Sequence, residues 1–328
     1  MTPSDLSLDE LTKFGIQPED EGAHPFSPEH EWWNESWFLD WFDETGGRAG
    51  HVRIGLHPNQ RRAFVWVLLY EHGEWLVVEE PRLALDALDV DALAYDGWGL
   101  QLAWERSDPL RSGRLTANGH GRIVTGERAG QVMPFEIDLA YRGVGAAHSM
   151  GPSDVPGHSA EGYTSNRFEQ PVSFDGVMGI GGAQPFTGRG ERDHSWGPRD
   201  WNIEWVFIVV GHDDFRLQCA DVDLPGVGRI TGGYILRDRS QSLTEVSPEL
   251  TFGDDDLTNP VSGRLSLTAE DGTVLAGTIE SVAGVEIDIT HCFDPPRGTN
   301  YRRTLIRFTP DGGTAALGWL ERNHFDGR

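Results

Sequence analysis

The chain has 328 residues, with 52 Asp and Glu against 27 Lys and Arg, and a formal net charge of −25. Lys13 is the sole lysine, so every other side-chain cation of that pair is an arginine. A surface this acidic repels phosphate and anionic lipid, which argues against nucleic acid and membrane surfaces as partners. One lysine near the chain start leaves none inside the fold for a Schiff base or a Walker-type phosphate loop.

The length suggests two domains at roughly 150 residues each. Hydrophobic residues make up only 38%, but 12 Trp, 15 Phe and 6 Tyr supply bulky apolar surface for a core. Two cysteines, Cys219 and Cys292, are too few for a disulfide framework. No apolar run approaches the ~20 residues of a membrane span, and Met1 to Glu10 lack the basic and apolar pattern of a signal peptide. These features predict a soluble, cytoplasmic protein.

Residues 1–30 are acidic and aperiodic and read as a tail or an edge wrap. From Trp32 onward, short segments rich in Val, Ile, Leu, Trp and Phe alternate with Gly, Asp, Asn and Pro turns. Examples run from Phe64 to Tyr70, Gly99 to Trp104, Phe135 to Tyr141 and Thr278 to Thr290. In the third, Phe135, Ile137 and Leu139 alternate with Glu136 and Asp138, the period-2 signature of a half-buried strand. Turn signals recur at Glu71-His-Gly73, Asn118-Gly119, Asp271-Gly272 and Asp311-Gly-Gly313. The best helical candidate, Leu83 to Leu93, is short. The predicted class is all-β, antiparallel, in barrels or sandwiches.

A faint repeat supports two similar domains. Ser112-Gly-Arg-Leu115 returns as Ser262-Gly-Arg-Leu265, and Trp37-x-x-x-Trp41 returns as Trp201-x-x-x-Trp205. Gly145 to Asn166 has a linker's composition, rich in Gly, Pro, Ser and His. The division expected is a tail over 1–30, a β domain over 31–160, and a second over 161–328.

The densest chemistry lies in Gly188-Arg-Gly-Glu-Arg-Asp-His-Ser-Trp-Gly-Pro-Arg-Asp-Trp201. If residues 192–196 are extended, Arg192, His194 and Trp196 share one face and Asp193 and Ser195 the other. The same alternation aligns Trp201, Ile203, Trp205, Phe207 and Val209. Such Arg-Asp-His clusters also serve simply to tie a loop, with Arg stacked on Trp and Asp accepting its hydrogen bonds. Metal ligation is not expected: none of the 12 His stands four residues from another with Glu between. A metal site assembled across strands stays open. No cofactor is required, and the nucleophile elbow Gly-x-Ser-x-Gly is missing.

Arg192-Asp-His-Ser-Trp-Gly-Pro-Arg-Asp-Trp201, preceded by Phe168-Glu-Gln170 and the Gly-rich stretch Asp175 to Gly182, resembles the signature of the tandem lipocalin-like proteins related to carotenoid 1,2-hydratase and kievitone hydratase. The resemblance implies two calycin-like β-barrels or sandwiches with a cavity for a small hydrophobic ligand. It also implies addition of water to an alkene, with His194 and Trp196 matching the motif positions. The acid it requires is expected on a later strand, at Asp221 or Asp223, with spacing favouring Asp223.

On that reading, Asp193 and Asp200 are ionised beside Arg192 and Arg199 and only orient the site. Asp221 and Asp223 have apolar sequence neighbours, so one could be the desolvated acid. His194 would hold or deprotonate water, and Trp196 and Trp201 would stabilise a cation. Trp205, Tyr234 and Tyr163 are the remaining candidates for contact with substrate. Two alternatives use the same cavity: a carrier that performs no chemistry, and a cyclase or pericyclase.

Overall fold

A computed structural model describes residues 6–150, 166–199, 201–224, 228–253, 256–297 and 300–324. The chain divides into two compact units, residues 1–199 and 200–328. Nearly every described element is an antiparallel strand. Helix is limited, among the described residues, to α1 (Leu8–Leu11) and short 3₁₀ turns. The tandem lipocalin-like β class expected from the sequence is the class observed. Among the described residues, no helix is long and apolar enough to cross a membrane.

The first unit contains β1 (Trp33–Phe42), β2 (Arg48–His57), β3 (Arg62–Glu71), β4 (Glu74–Ala84), β5 (Leu88–Asp89), β6 (Ala94–Gly97), β7 (Leu100–Asp108), β8 (Ser112–Ile123), β9 (Val132–Gly143), β10 (His148–Ser149), β11 (Asn166–Ile180) and β12 (Gln184–Pro198). The order β11-β12-β1-β2-β3-β4-β8 is closed by β9, which pairs with both β8 and β11. Closure removes the exposed edges that a long sheet otherwise presents. The enclosed face carries Trp37, Leu39 and Trp41 from β1, Val52 and Ile54 from β2, Leu139 from β9 and Phe174 from β11, all buried in one core.

Strand character follows the alternation anticipated from sequence. β9 buries Phe135, Ile137, Leu139 and Tyr141 and turns Glu136 outward. The β3–β4 hairpin closes through His72 and Gly73, both at positive φ, and glycine tolerates that without a Cβ penalty. Asn118-Gly119, expected as a turn, instead lies inside β8, where a Cβ on Gly119 would stand 2.1 Å from the Gly99 carbonyl oxygen. Glycine here permits close backbone approach. The best helical candidate, Leu83 to Leu93, is not an α-helix: β4 ends at Ala84, one 3₁₀ turn spans Leu85–Ala87, and β5 follows. Leu83, Leu88 and Leu93 still bury, but at the ends of an irregular connection.

The second unit is a closed barrel of β13 (Glu204–Gly211), β14 (Arg216–Leu224), β15 (Gly228–Leu236), β16 (Ser240–Gly253), β17 (Asp256–Ala269), β18 (Val274–Asp288), β19 (Asn300–Pro310) and β20 (Ala316–His324). Its core includes Ile208, Val210, Leu217, Leu265, Ile279, Ile306 and Leu320. Cys219 and Cys292 are both buried and stand outside any disulfide.

The boundary between units falls at 199/200, whereas linker composition suggested 160/161. Strand pairing is the reason. β11 and β12 lie after the Gly- and Pro-rich stretch in sequence, yet they pair with β9 and β1 and complete the first unit. The stretch between β10 and β11 therefore connects strands of one sheet. The N-terminal residues form a strap on the same unit: Leu11 and Ile16 bury against Leu110, Ala147, Phe168 and Trp196.

Candidate functional site

β12 carries the motif, and its alternation is the one expected. Arg192, His194 and Trp196 face the enclosed side, and Asp193 and Ser195 face away from it. β1 lies alongside with Trp37 opposite His194 and Glu35 opposite Trp196. Glu35 and His194 are diagonal neighbours on one sheet face, a separation that side chains of this length span. The Glu35 carboxylate oxygen Oε1 stands 3.1 Å from His194 Nε2. His194 is 1% exposed and Glu35 is 3% exposed, so this pair is shielded from solvent.

The strap supplies the rest of the site. His194 Nδ1 donates to the Asp20 carbonyl oxygen at 2.7 Å. His24 donates to Glu35 Oε1 from its ring Nδ1 at 2.8 Å and from its backbone N–H at 2.9 Å. Both nitrogens of His194 therefore face oxygen atoms, one a carbonyl that only accepts. Burial alone would raise the Glu35 carboxyl, but hydrogen bonds from His194 and His24 outweigh it and hold the group below its ordinary range.

Aromatic rings wall this pair. Trp37 stacks on His194 with centroids 4.5 Å apart, and Trp196 stacks on His24 at 3.8 Å and 5° between planes. Phe168 meets His194 edge-on at 5.8 Å. A pocket of about 290 Å³, lined by Phe14, Ile16, Asp20, Arg167 and Trp196 among others, reaches this wall.

Arg192 anchors the strap. Its Nη2 lies 2.5 Å from the buried Glu21 carboxylate, and its Nε donates to Gln170 Oε1 at 2.7 Å. Gln170 is fixed in turn by donating to the carbonyls of Leu110 and Gly145, both at 2.9 Å. Burial opposes ionisation of Glu21, yet Arg192 and the Leu110 N–H hold its carboxyl below the usual range. Gly190 permits the β1–β12 approach itself, since a Cβ there would stand 1.9 Å from the Asp40 carbonyl oxygen.

Several sequence expectations change. Asp193 pairs with Arg167, not with its chain neighbour Arg192. Adjacent residues on a strand point to opposite faces, so sequence adjacency predicts the wrong partner. Arg199 is buried in the first unit, with its N–H bonded to the Trp32 carbonyl. Asp200 and Tyr163 lie outside the described residues.

Asp221 and Asp223 stand on β14 of the second unit, in a cleft lined by Glu204, Val206, Arg229 and Arg322 as well. Arg229 binds Asp221 through two nitrogens, so this carboxylate is paired and partly wet. Apolar neighbours in sequence gave Asp221 the look of a desolvated acid, but the adjacent strand supplies its cation. The carboxylate that meets His194 is Glu35. Trp201, Trp205 and Tyr234 also belong to the second unit. Trp205 donates to Glu321 at 2.7 Å, Trp201 packs on Phe293 at 5.1 Å between centroids, and Tyr234 is fully buried on β15.

Sequence reasoning missed Glu35, His24 and Glu21. Glu35 left one signal: in Trp33-Asn-Glu-Ser-Trp37 it shares a strand face with two tryptophans, an unusual place for a carboxylate. His24 and Glu21 left none, because they sit in an aperiodic segment: Glu21 meets Leu110 and Arg192 from far along the chain, and His24 meets Glu35 only once the segment folds back on β1.

A tandem lipocalin-like β protein with a buried Glu–His pair against tryptophan rings is the class these features define. The chain belongs to the family described as domain of unknown function DUF7064, which matches residues 17–326. A search of curated proteins returned no match. Among solved structures it is similar to a Nitrosomonas europaea protein assigned as AttH (NE1406), at 17% identity and TM-score 0.65, covering 94% of this chain and 97% of that one. Kievitone hydratase from Nectria haematococca is similar at 12% identity and TM-score 0.56, covering 97% and 95%. CghA in complex with Sch210972 is similar at 12% identity and TM-score 0.55, covering 96% of each chain. At these identities the likeness establishes a shared fold.

Proposed function

We propose that this protein is a hydro-lyase that adds water to, or removes it from, an alkene of a hydrophobic, terpenoid-like substrate. The observation that carries this reading is the buried Glu35–His194 pair, with Trp37 stacked on the imidazole and Trp196 tilted against it at 5.0 Å. Hydration needs a proton delivered to carbon, a stabilised cation and a base for the attacking water. In the hydration direction, imidazolium His194 gives its Nε2 proton to one alkene carbon, forming a C–H bond and leaving a carbocation. Water attacks the cation and forms the C–O bond, and its surplus proton returns to the Glu35–His194 pair. The sum is one water added, with the site regenerated.

General acid–base work of this kind typically supplies 10²–10⁴-fold in rate. An indole face adds about 2 kcal/mol toward a desolvated cation. The pocket at Trp196 offers the substrate a route to this wall. The similar fold of kievitone hydratase and the ligand complex of CghA support a small-molecule substrate.

The test is incubation of the full chain with a panel of terpenoid alkenes and tertiary alcohols in isotope-labelled water, read by mass spectrometry. The expected product carries one labelled water, and His194→Ala lowers its rate by about 10²–10⁴-fold while ligand binding persists. Intact return of a bound ligand by the wild type would overturn the reading in favour of a carrier. Rearranged product of unchanged mass would overturn it in favour of a cyclase.

A further inference from the structure

His24, Glu35 and His194 come from the strap, β1 and β12 and converge on one point, a meeting that no local sequence motif announces. One ligand-type atom from each lies within 4.8 Å of the others. His24 Nδ1 and His194 Nε2 stand 2.8 Å and 3.1 Å from the same Glu35 oxygen. Two donors each ~2.1 Å from a common ion are about 3.0 Å apart at a right angle and about 3.4 Å apart at the tetrahedral angle, so a shift of a few tenths of an ångström seats both pairs on one cation. We propose that His24, Glu35 and His194 form a binding site for a divalent first-row transition cation of the Zn²⁺ or Fe²⁺ kind.

The surroundings resemble those of a metal site. Ligating imidazoles characteristically donate their second ring N–H to a carbonyl or carboxylate, which fixes the tautomer and strengthens the ligand. Asp20 stands behind both histidines: its carbonyl takes the His194 Nδ1–H at 2.7 Å, and its carboxylate is 3.8 Å from His24 Nε2. Trp37 and Trp196 orient the two rings by stacking. Two imidazoles and one carboxylate select borderline transition cations over Ca²⁺ and Mg²⁺, which prefer all-oxygen shells. A pocket lined in part by Asp20 and Trp196 adjoins the residues that back and stack on the two histidines.

Cation and shared proton use the same lone pairs, so the metal-loaded and acid–base forms are alternative states of one cluster. Binding alone tests the site, independently of whether the protein is a hydro-lyase. Tag-free, chelator-treated full-length protein is titrated with Co²⁺ and followed by visible ligand-field absorption. Paramagnetically shifted imidazole resonances provide a second readout, and Zn²⁺ competition and Ca²⁺ serve as specificity arms. The expected result is saturation at one equivalent with two shifted histidines, displacement by Zn²⁺ and indifference to Ca²⁺. Loss of that signal is expected in both His24→Ala and Glu35→Gln, each checked for wild-type circular dichroism. His24 sits on the strap outside the sheets, so its variant keeps the test open if Glu35→Gln does not fold. No saturable absorption in the wild type, or absorption that survives in a folded variant, overturns the proposal.

Discussion

Replacing Glu21 by Gln would leave a guanidinium buried without its counter-charge. Arg192 is 4% exposed and Glu21 5% exposed, so solvent replaces little of what is lost. Removing one partner of a buried ion pair typically costs about 3–5 kcal/mol. Two features place this case near the lower end. Arg192 keeps its hydrogen bond to Gln170 and lies over the rings of Phe168 and Tyr141, at 5.3 and 5.8 Å. The new amide oxygen can also still accept from the Leu110 N–H, which now donates to Glu21 at 2.7 Å. At 2–4 °C per kcal/mol for a unit of this size, about 3 kcal/mol lowers its Tm by roughly 6–12 °C.

Calorimetry of the full chain reads the transition, and amide exchange at Leu110 and His24 assigns it to the strap. The double variant Glu21→Gln with Arg192→Met removes the orphaned charge and should recover most of the loss. A change under about 0.5 kcal/mol in the single variant, or a double variant worse than both singles, would refute the reasoning.

Acid should destabilise the first unit through buried neutral histidines. Burial first, and then neighbouring Arg53, lowers His57 from 6.5 to about 3, and burial lowers His148 to about 4. Their folded pKa values are depressed, so the unfolded chain binds more protons between pH 6.5 and those values. Stability is therefore full above pH 6.5 and is lost as pH falls. At pH 5 each histidine accounts for about 2 kcal/mol at 1.36 kcal/mol per unit. Urea unfolding at pH 7.5 and 5 should show that His57→Gln halves the summed loss from the pair, and an unchanged pH slope would count against it. Gly190→Ala should destabilise by more than about 2 kcal/mol or fail to fold, because its new methyl meets the Asp40 carbonyl rather than a yielding side chain; a wild-type melting curve would show the β1–β12 spacing to be slack. Trp196→Leu should lower kcat on an identified alkene about 30-fold, the equivalent of ~2 kcal/mol of lost ring stabilisation. An effect confined to KM would mean that Trp196 only holds the substrate.

Strand alternation was legible because it depends on each residue and its neighbours two places away. It assigned the β class, the shared face of Arg192, His194 and Trp196, and the opposite face of Asp193 and Ser195. Of the tryptophans in the Trp37-x-x-x-Trp41 and Trp201-x-x-x-Trp205 echo, Trp37, Trp41 and Trp205 lie on strands and Trp201 precedes one. The unit boundary was not legible, because Gly- and Pro-rich composition marks any loop. It does not say whether the strands on either side rejoin the same sheet, as β11 and β12 do.

Partners across strands were the chief loss. Apolar neighbours made Asp221 look desolvated, while Arg229, eight residues on, binds it from the adjacent strand. Glu35 and His194 lie 159 residues apart in sequence and 3.1 Å apart in space.

The sequence by itself determined an acidic, nearly lysine-free chain of alternating strands, with an Arg-Asp-His-Trp segment as its chemical centre. Those are local properties, set by composition and by the two-residue period of the extended backbone. Only the tertiary structure decided which carboxylate meets His194, that an acidic N-terminal strap completes the site, and that Arg192 belongs to Glu21. Each depends on register and closure between distant segments, where a one-residue slip would turn Glu35 to the other face.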